Sequence, residues 1–165
     1  MKGSRKTAAT LGLAAVGLTS AVAMTPAHAA AAPGAVTVRP GAHGAYTVHV
    51  TRASGAAALA APSTSPSVDH RFVADGGSFT CARSYACAVV PYSNGAYVFN
   101  FYRYGGYSLS YWHGNGAFVN NQTDGAAARY DDANGNQVGC VPAGIARNGI
   151  DWNPIWRIRL TAAAC

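Results

Sequence analysis

Lysine and glutamate are both missing from the sequence after residue 29, where nine arginines and six aspartates carry the charge. The net charge of residues 30–165 is therefore +3, which is nine minus six. Nucleic-acid-binding domains usually carry a dense basic patch. This weak positive balance argues against a nucleic-acid partner.

Long apolar runs are also missing beyond the N-terminus, which argues against a membrane-spanning mature protein. At the N-terminus itself, three basic residues precede an uncharged run over 7–24, and the segment ends in Ala27-His28-Ala29, whose small residues fit signal peptidase. We expect a signal peptide over 1–29 rather than a membrane anchor. The mature protein is then expected to be secreted and extracellular, with no membrane contact after cleavage.

Cysteine is scarce, with four residues, and all four lie after the signal segment. An even number in a small exported protein indicates two disulfides, for which three pairings exist. Short loops close most easily, so we favour Cys81 with Cys87, which leaves Cys140 with Cys165. A zinc site is the weaker interpretation because no second closely spaced Cys or His pair is present. No cofactor is predicted.

The 136 residues that follow the signal segment (165 minus 29) are enough for one domain. Residues 30–75 are rich in Ala, Pro and Ser, and we predict a propeptide or flexible arm there, with a low-complexity linker over 55–67. Alternating residues nearer its start predict a transient hairpin in which Tyr46, Val48 and Val50 share one face.

A sustained helical period is absent from residue 76 onward. Runs of four to seven β-formers alternate instead with Gly and Asn-Gly turns, and this spacing is typical of an antiparallel sandwich or barrel. We therefore predict an all-β domain over 76–165. Its last strand is expected to close a sheet edge, with Trp156, Ile158 and Leu160 inward and its arginines outward.

Three segments of the predicted domain resemble a known family. They are the C-x5-C opening CARSYAC at 81–87, the spacing Phe99-x4-Tyr104-x-Gly106, and the phrase FVNNQTDGAAARYDDANGN at 118–136. Together they resemble the small secreted βγ-crystallin-like peptidase inhibitors of high-GC Gram-positive bacteria. The resemblance implies a disulfide-clasped antiparallel Greek-key sandwich and inhibition of an extracellular protease by binding without catalysis. It also implies a corner in which two aromatic rings pack over Gly106.

The loop at 81–87 is the first candidate for a partner-binding surface. Arg83 and Tyr85 lie inside it, and a disulfide-closed loop has a low entropy cost when it enters a protease cleft. A purely structural clasp is an equally good interpretation of the same loop. The hairpin tips at 93–95 and 114–116 are competing loops.

Aromatic residues crowd the stretch over 97–112, with more rings than a small core needs. We expect Tyr104, Tyr107, Tyr111 and Trp112 to be exposed and available to a partner. Such rings would also suit a cell-surface or carbohydrate-binding module with a cell-wall glycan as its partner, which is the alternative function. A secreted toxin of the same fold is a third. The structural interpretation is that these rings form the core.

Catalytic and metal-binding patterns are weak in this sequence. No G-x-S-x-G motif accompanies His113, the one histidine after residue 76, so we predict no enzyme activity and no catalytic residue. Asp131, Asp132 and Asn134 are weak candidates for a calcium site, because a hard cation needs several oxygen ligands. Ordinary Asx-rich turns explain these residues better, and no metal is predicted.

Overall fold

The computed structural model describes residues 35–41, 45–51 and 60–165, and these residues form thirteen β-strands and no helix. The strands are β1 (Ala35–Pro40), β2 (Tyr46–Thr51), β3 (Ser63–Ser65), β4 (Asp69–Ala74), β5 (Ser78–Cys81), β6 (Ala86–Tyr92), β7 (Gly95–Phe101), β8 (Gly105–Ser110), β9 (Asn115–Asn120), β10 (Ala127–Asp131), β11 (Gln137–Pro142), β12 (Ile145–Asp151) and β13 (Arg157–Thr161). The prediction of an all-β protein is confirmed. The signal peptide predicted over 1–29 lies outside the described residues, among which no helix could cross a membrane.

The strands form three antiparallel sheets. A small sheet has the order β1-β2-β5, a middle sheet the order β12-β9-β6-β7-β4, and a far sheet the order β11-β10-β13-β8-β3. One apolar cluster joins the middle sheet to the far sheet, and a second joins the opposite face of the middle sheet to the small sheet. The three central strands of the middle sheet, β9, β6 and β7, are therefore covered on both faces.

Burial on both faces explains why β6 and β7 are largely apolar, with Asn100 as the exception. In β7, Phe99 and Phe101 lie in the cluster shared with the far sheet, and Tyr97 packs against it, as the alternation predicts. Val98, on the opposite face, lies in the cluster shared with the small sheet. A strand covered on both sides offers no position to water, so polar residues do not alternate along it.

Two groups of four consecutive strands follow the same path through the sheets. β6 and β7 form a hairpin in the middle sheet, β8 crosses to the far sheet, and β9 returns beside β6. β10 and β11 form a hairpin in the far sheet, β12 crosses to the middle sheet, and β13 returns beside β10. Each group thus contributes its third strand to the other group's sheet.

Two tryptophans meet at the centre, each from the segment that follows a third strand. Trp112 follows β8 and Trp152 follows β12, and their ring centroids lie 4.9 Å apart at an interplanar angle of 86°. The indole of Trp112 donates to the carbonyl oxygen of Ser63 at 2.9 Å, and that of Trp152 to the carbonyl oxygen of Val89 at 2.9 Å. Both indoles are thereby buried without leaving a donor unsatisfied.

The segment before residue 76 differs from the expected flexible arm. Val48 and Val50 of β2 are fully buried on one face, with Tyr46 packed against the same cluster, and β2 pairs with β5. Farther along, β3 pairs with β8 and β4 pairs with β7, so strands on both sides of residue 76 share all three sheets. Few but regularly spaced valines are enough to cover one face of the middle sheet. Residues 55–59 of the predicted linker lie outside the described residues.

The last strand also departs from its predicted place. β13 lies between β10 and β8, so it is an interior strand and not a sheet edge. Ile158 and Leu160 are buried as predicted, whereas Trp156 is 58% exposed. The turn at Asn153 and Pro154 ends before the strand begins at Arg157, so Trp156 does not belong to its alternation.

Both disulfides have the predicted pairing. Cys81 bonds Cys87 across a Cα–Cα distance of 6.0 Å, and Cys140 bonds Cys165 across 5.9 Å. No free cysteine is present. Two disulfides in a small domain are typical of an oxidising environment such as the cell exterior.

Candidate functional site

The loop between Cys81 and Cys87 is anchored to the body of the protein by one buried residue, Asn121, through both its backbone and its side chain. The backbone N–H of Ser84 donates to the carbonyl oxygen of Asn121 at 2.8 Å. The backbone N–H of Asn121 donates in turn to the carbonyl oxygen of Tyr85 at 2.9 Å. The Asn121 amide Nδ2 also donates to the carbonyl oxygen of Cys81 at 3.0 Å. Three hydrogen bonds and a disulfide therefore fix the loop, hereafter the Arg83 loop.

Arg83 is the charged residue that this loop exposes. The N–H of Tyr85 donates to the carbonyl oxygen of Ala82 at 3.3 Å, and Ser84 has a φ of +72°, so the chain turns sharply beside Arg83. Tyr85 is half-buried and its ring lies 5.2 Å from that of Tyr102. The loop presents Arg83 to solvent and holds Tyr85 against the protein.

A cavity of about 320 Å³ adjoins the Arg83 loop. Its lining includes Tyr46, Arg83, Gln122 and Gly144, and the hydroxyl of Tyr46 donates to the carbonyl oxygen of Gly144. Gln122 is buried, and its Oε1 atom has no hydrogen-bond partner among the described residues.

The four aromatic residues expected on the surface divide into two pairs. Tyr104 and Tyr111 are exposed, as predicted. Tyr107 and Trp112 are buried, so the prediction of exposure is wrong for both. Tyr107 alternates with Leu109 on the inward face of β8, and Trp112 occupies the centre of the core.

Tyr104 does not take the packed position that the family resemblance implies. Tyr104 is exposed in the segment that crosses from the middle to the far sheet, so it does not pack over Gly106 with Phe99. Tyr107 folds back instead, and its hydroxyl donates to the carbonyl oxygen of Arg103 at 2.7 Å. Burial raises the pKa of the Tyr107 phenol, while the charge of Arg103 acts in the opposite direction.

A second surface, the aromatic groove, lies where the segment after β8 meets the segment after β12. It has a volume of about 310 Å³ and is lined by Leu109, Ser110, Tyr111, Trp112, His113, Asn153, Ile155 and Trp156. Tyr111 is 56% exposed and Trp156 is 58% exposed, whereas the other apolar lining residues are buried. The groove therefore has a buried apolar base and two rings open to solvent.

The backbone that carries the two exposed rings is hydrogen-bonded at Trp156 and has an unusual conformation at Tyr111. The N–H of Trp156 donates to the carbonyl oxygen of Asp131 at 2.9 Å, and its own carbonyl accepts from the N–H of Leu109 at 2.9 Å. Tyr111 has a φ of +62°, a conformation that a large side chain rarely adopts. Strained backbone of this kind persists where surrounding structure imposes it, commonly at binding sites. The sequence analysis did not identify Trp156 as an exposed ring, although Pro154 indicates that the strand begins only farther along the chain.

The weak calcium candidates are engaged with the protein itself. The buried carboxylate of Asp131 accepts two hydrogen bonds from Arg159, at 2.5 and 2.7 Å, and this pairing raises the Arg159 pKa. Asp132 accepts from the Asn136 side chain at 3.0 Å and from the backbone N–H groups of Asn136 and Asn134, which lowers its pKa. Across the described ranges, no three His, Cys, Asp or Glu side chains come together as a metal site requires.

Comparison of the chain with protein-family models, with curated proteins and with solved structures gives no match. The class that the described residues define is an all-β protein with antiparallel sheets and two disulfides. Its function has to be argued from the two surfaces above.

Proposed function

We propose that this chain is a secreted inhibitor of extracellular peptidases with a βγ-crystallin-like Greek-key fold, acting by binding without catalysis. The proposal includes export by the segment at 1–29. The observation that carries it is the exposed Arg83 at the tip of a turn fixed by a disulfide and by three hydrogen bonds with Asn121.

The strand connections support the family part of the proposal. In a Greek key, three consecutive strands are followed by a fourth that returns beside the first. β6–β9 and β10–β13 each return in this way, with the third strand placed in the opposite sheet. The return of each fourth strand beside the first supports the proposed resemblance of residues 76–165 to the inhibitor family.

The rigidity of the Arg83 loop supports the inhibitory part. Binding to a protease cleft orders the interacting loop, and a loop that is already fixed loses less conformational entropy. The disulfide and the buried Asn121 supply that preorganisation. A guanidinium group offers five donors in a planar arrangement that suits a carboxylate, so the target we propose has an acidic residue in its cleft.

The sharp turn gives the proposed inhibitor a means of resisting cleavage. Ser84, directly after Arg83, has a φ of +72°, whereas a protease substrate binds as an extended strand. Arg83 therefore inserts its side chain while the adjoining peptide bonds remain out of the extended geometry. We accordingly propose that the Arg83 side chain alone enters the protease cleft and that the loop does not bind there as a substrate would.

The test is a titration of purified, oxidised protein against secreted serine, cysteine and metallo-proteases. We expect the residual activity of the target class to fall linearly to zero near a one-to-one molar ratio, with the added protein intact afterwards. Arg83→Ala is expected to weaken inhibition at least a hundredfold. Arg157→Ala, an exposed arginine on β13, is the matched control and should inhibit as the wild type does. Equal inhibition by both variants would show that the Arg83 loop is not the inhibitory site.

A further inference from the structure

We propose that the aromatic groove is a second binding site, for a neutral saccharide chain. Tyr111 and Trp156 supply exposed rings, and Ser110, His113 and Asn153 supply hydrogen-bonding groups beside them. The site is separate from the Arg83 loop and does not depend on the inhibitory function proposed above.

The charge of the lining argues for a neutral ligand. None of the eight residues that line the groove is an arginine or an aspartate, although these two types carry the charge of residues 30–165. An anionic polymer would find no guanidinium among these lining residues. The carboxylate beside the groove, that of Asp151, already accepts hydrogen bonds from Asn153. An uncharged ligand complements this surface because no charge is desolvated without a partner.

The mixture of groups in the groove argues for a saccharide among neutral ligands. One face of a pyranose ring presents C–H bonds, and the negative face of an aromatic ring attracts such weakly positive hydrogens. The hydroxyl groups at the rim of the sugar need hydrogen-bond partners, which Ser110, His113 and Asn153 offer. The volume of about 310 Å³ lies in the range of small-molecule sites.

The polar groups of the groove are held in position before any ligand binds. Asn153 donates through its Nδ2 atom to the carboxylate of Asp151 at 2.6 Å, and its Oδ1 atom lies 3.3 Å from Nδ1 of His113. Together with the fixed backbone of Trp156, these contacts preorganise both the apolar and the polar parts of the groove. Preorganisation reduces the entropy lost on binding.

The two proposed sites lie at opposite ends of one strand. Asn121, which anchors the Arg83 loop, follows β9, whereas His113 of the groove precedes it. Six residues of extended strand separate the two by about 20 Å. Both sites can therefore be occupied at once, which would hold the inhibitor on a glycan surface.

The test is calorimetric titration of the oxidised protein with cellohexaose and with N-acetylchitohexaose. We expect saturable binding of at least one of them, and at least a tenfold rise in Kd for Tyr111→Gly and for Trp156→Ala. Glycine accepts a positive φ, so Tyr111→Gly removes the ring without disturbing the backbone, and its melting temperature should not fall. Tyr104→Ala, an exposed tyrosine outside the groove, is the control and should bind as the wild type does.

Three results would overturn this assignment. They are no saturable binding of either oligosaccharide, binding that Tyr111→Gly and Trp156→Ala both leave unchanged, and binding confined to a polyanion such as a heparin oligosaccharide. Inhibition by the groove variants should equal that of the wild type. The protease titration and the saccharide titration can therefore fail independently.

Discussion

The indole Nε1 of Trp152 donates to the carbonyl oxygen of Val89 across a distance of 2.9 Å, directly beside Gly116. A Cβ atom added at Gly116 would overlap both of these groups. Because Gly116 has no side chain, Trp152, in the segment that follows β12, can hydrogen-bond to the middle of β6.

Gly116→Ala should be strongly destabilising. The added methyl group must displace the Trp152 indole from a buried hydrogen bond, and overpacking together with an unsatisfied buried donor costs about 3 kcal/mol. Urea denaturation followed by fluorescence measures the change in the free energy of unfolding. Gly106→Ala is the control, because a Cβ there would meet only ordinary contacts at 3.8 Å. A loss below about 1 kcal/mol for Gly116→Ala would contradict the overlap.

Two buried tyrosine hydroxyl groups should respond differently to removal. The hydroxyl of Tyr107 donates to the carbonyl oxygen of Arg103. The hydroxyl of Tyr130 has no hydrogen-bond partner among the described residues. Burial raises the pKa of Tyr130 well above its ordinary value. Tyr107→Phe should lose about 1 kcal/mol of unfolding free energy. Tyr130→Phe should be neutral or stabilising, because it removes an unsatisfied buried group. Thermal unfolding of the two variants in parallel checks the prediction, which an equal loss in both would contradict.

The ion pair between Asp131 and Arg159 should matter far more than the neighbouring arginine on the same strand. Arg159→Met leaves the buried Asp131 carboxylate without either of its side-chain hydrogen bonds, which costs about 3 kcal/mol. Arg157 is exposed and lies two residues before Arg159 on the same strand. Arg157→Met should therefore change the free energy of unfolding by less than about 0.5 kcal/mol. Chemical denaturation of both variants at neutral pH is the measurement. Similar losses would show that the pair contributes nothing specific.

The two disulfides should separate function from stability. Cys140 and Cys165 are 25 residues apart, and replacing both by serine should lower the unfolding free energy by about 3 kcal/mol while inhibition remains. Cys81 and Cys87 are 6 residues apart, so their removal should cost less, about 2 kcal/mol. Because it frees the Arg83 loop, that second removal should weaken inhibition at least tenfold. Inhibition unchanged by loss of the Cys81–Cys87 disulfide would contradict a role for loop rigidity.

Local patterns in the sequence predicted much of this fold. The turn dipeptides and β-forming runs of β6 to β11 identified an all-β protein, and loop closure favoured the observed pairing of Cys81 with Cys87. These features depend on residues close together in the chain. The density of rings over 97–112 predicted exposure correctly for Tyr104 and Tyr111 but wrongly for Tyr107 and Trp112, because ring density does not say which rings the core takes.

Long-range pairing was beyond the reach of the same patterns. β13 lies between β10 and β8 because the fourth strand of each group returns beside the first, and nothing in the residues near Arg157 specifies that path. The alternating valines of β2 predicted a strand, but they did not indicate that this strand packs against the second face of the middle sheet. Trp156 was placed inward because the alternation was counted from Ile155, whereas the strand begins at Arg157.

The stoichiometric protease titration is the direct test of the proposed inhibitor function. Oxidised protein is added in increasing molar ratio to a secreted protease of each class, and both residual activity and cleavage of the Arg83 loop are recorded. The proposal predicts that one class loses all activity near one-to-one, with the loop uncut and with loss of inhibition in Arg83→Ala. Full protease activity at large molar excess for every class would contradict the inhibitor function.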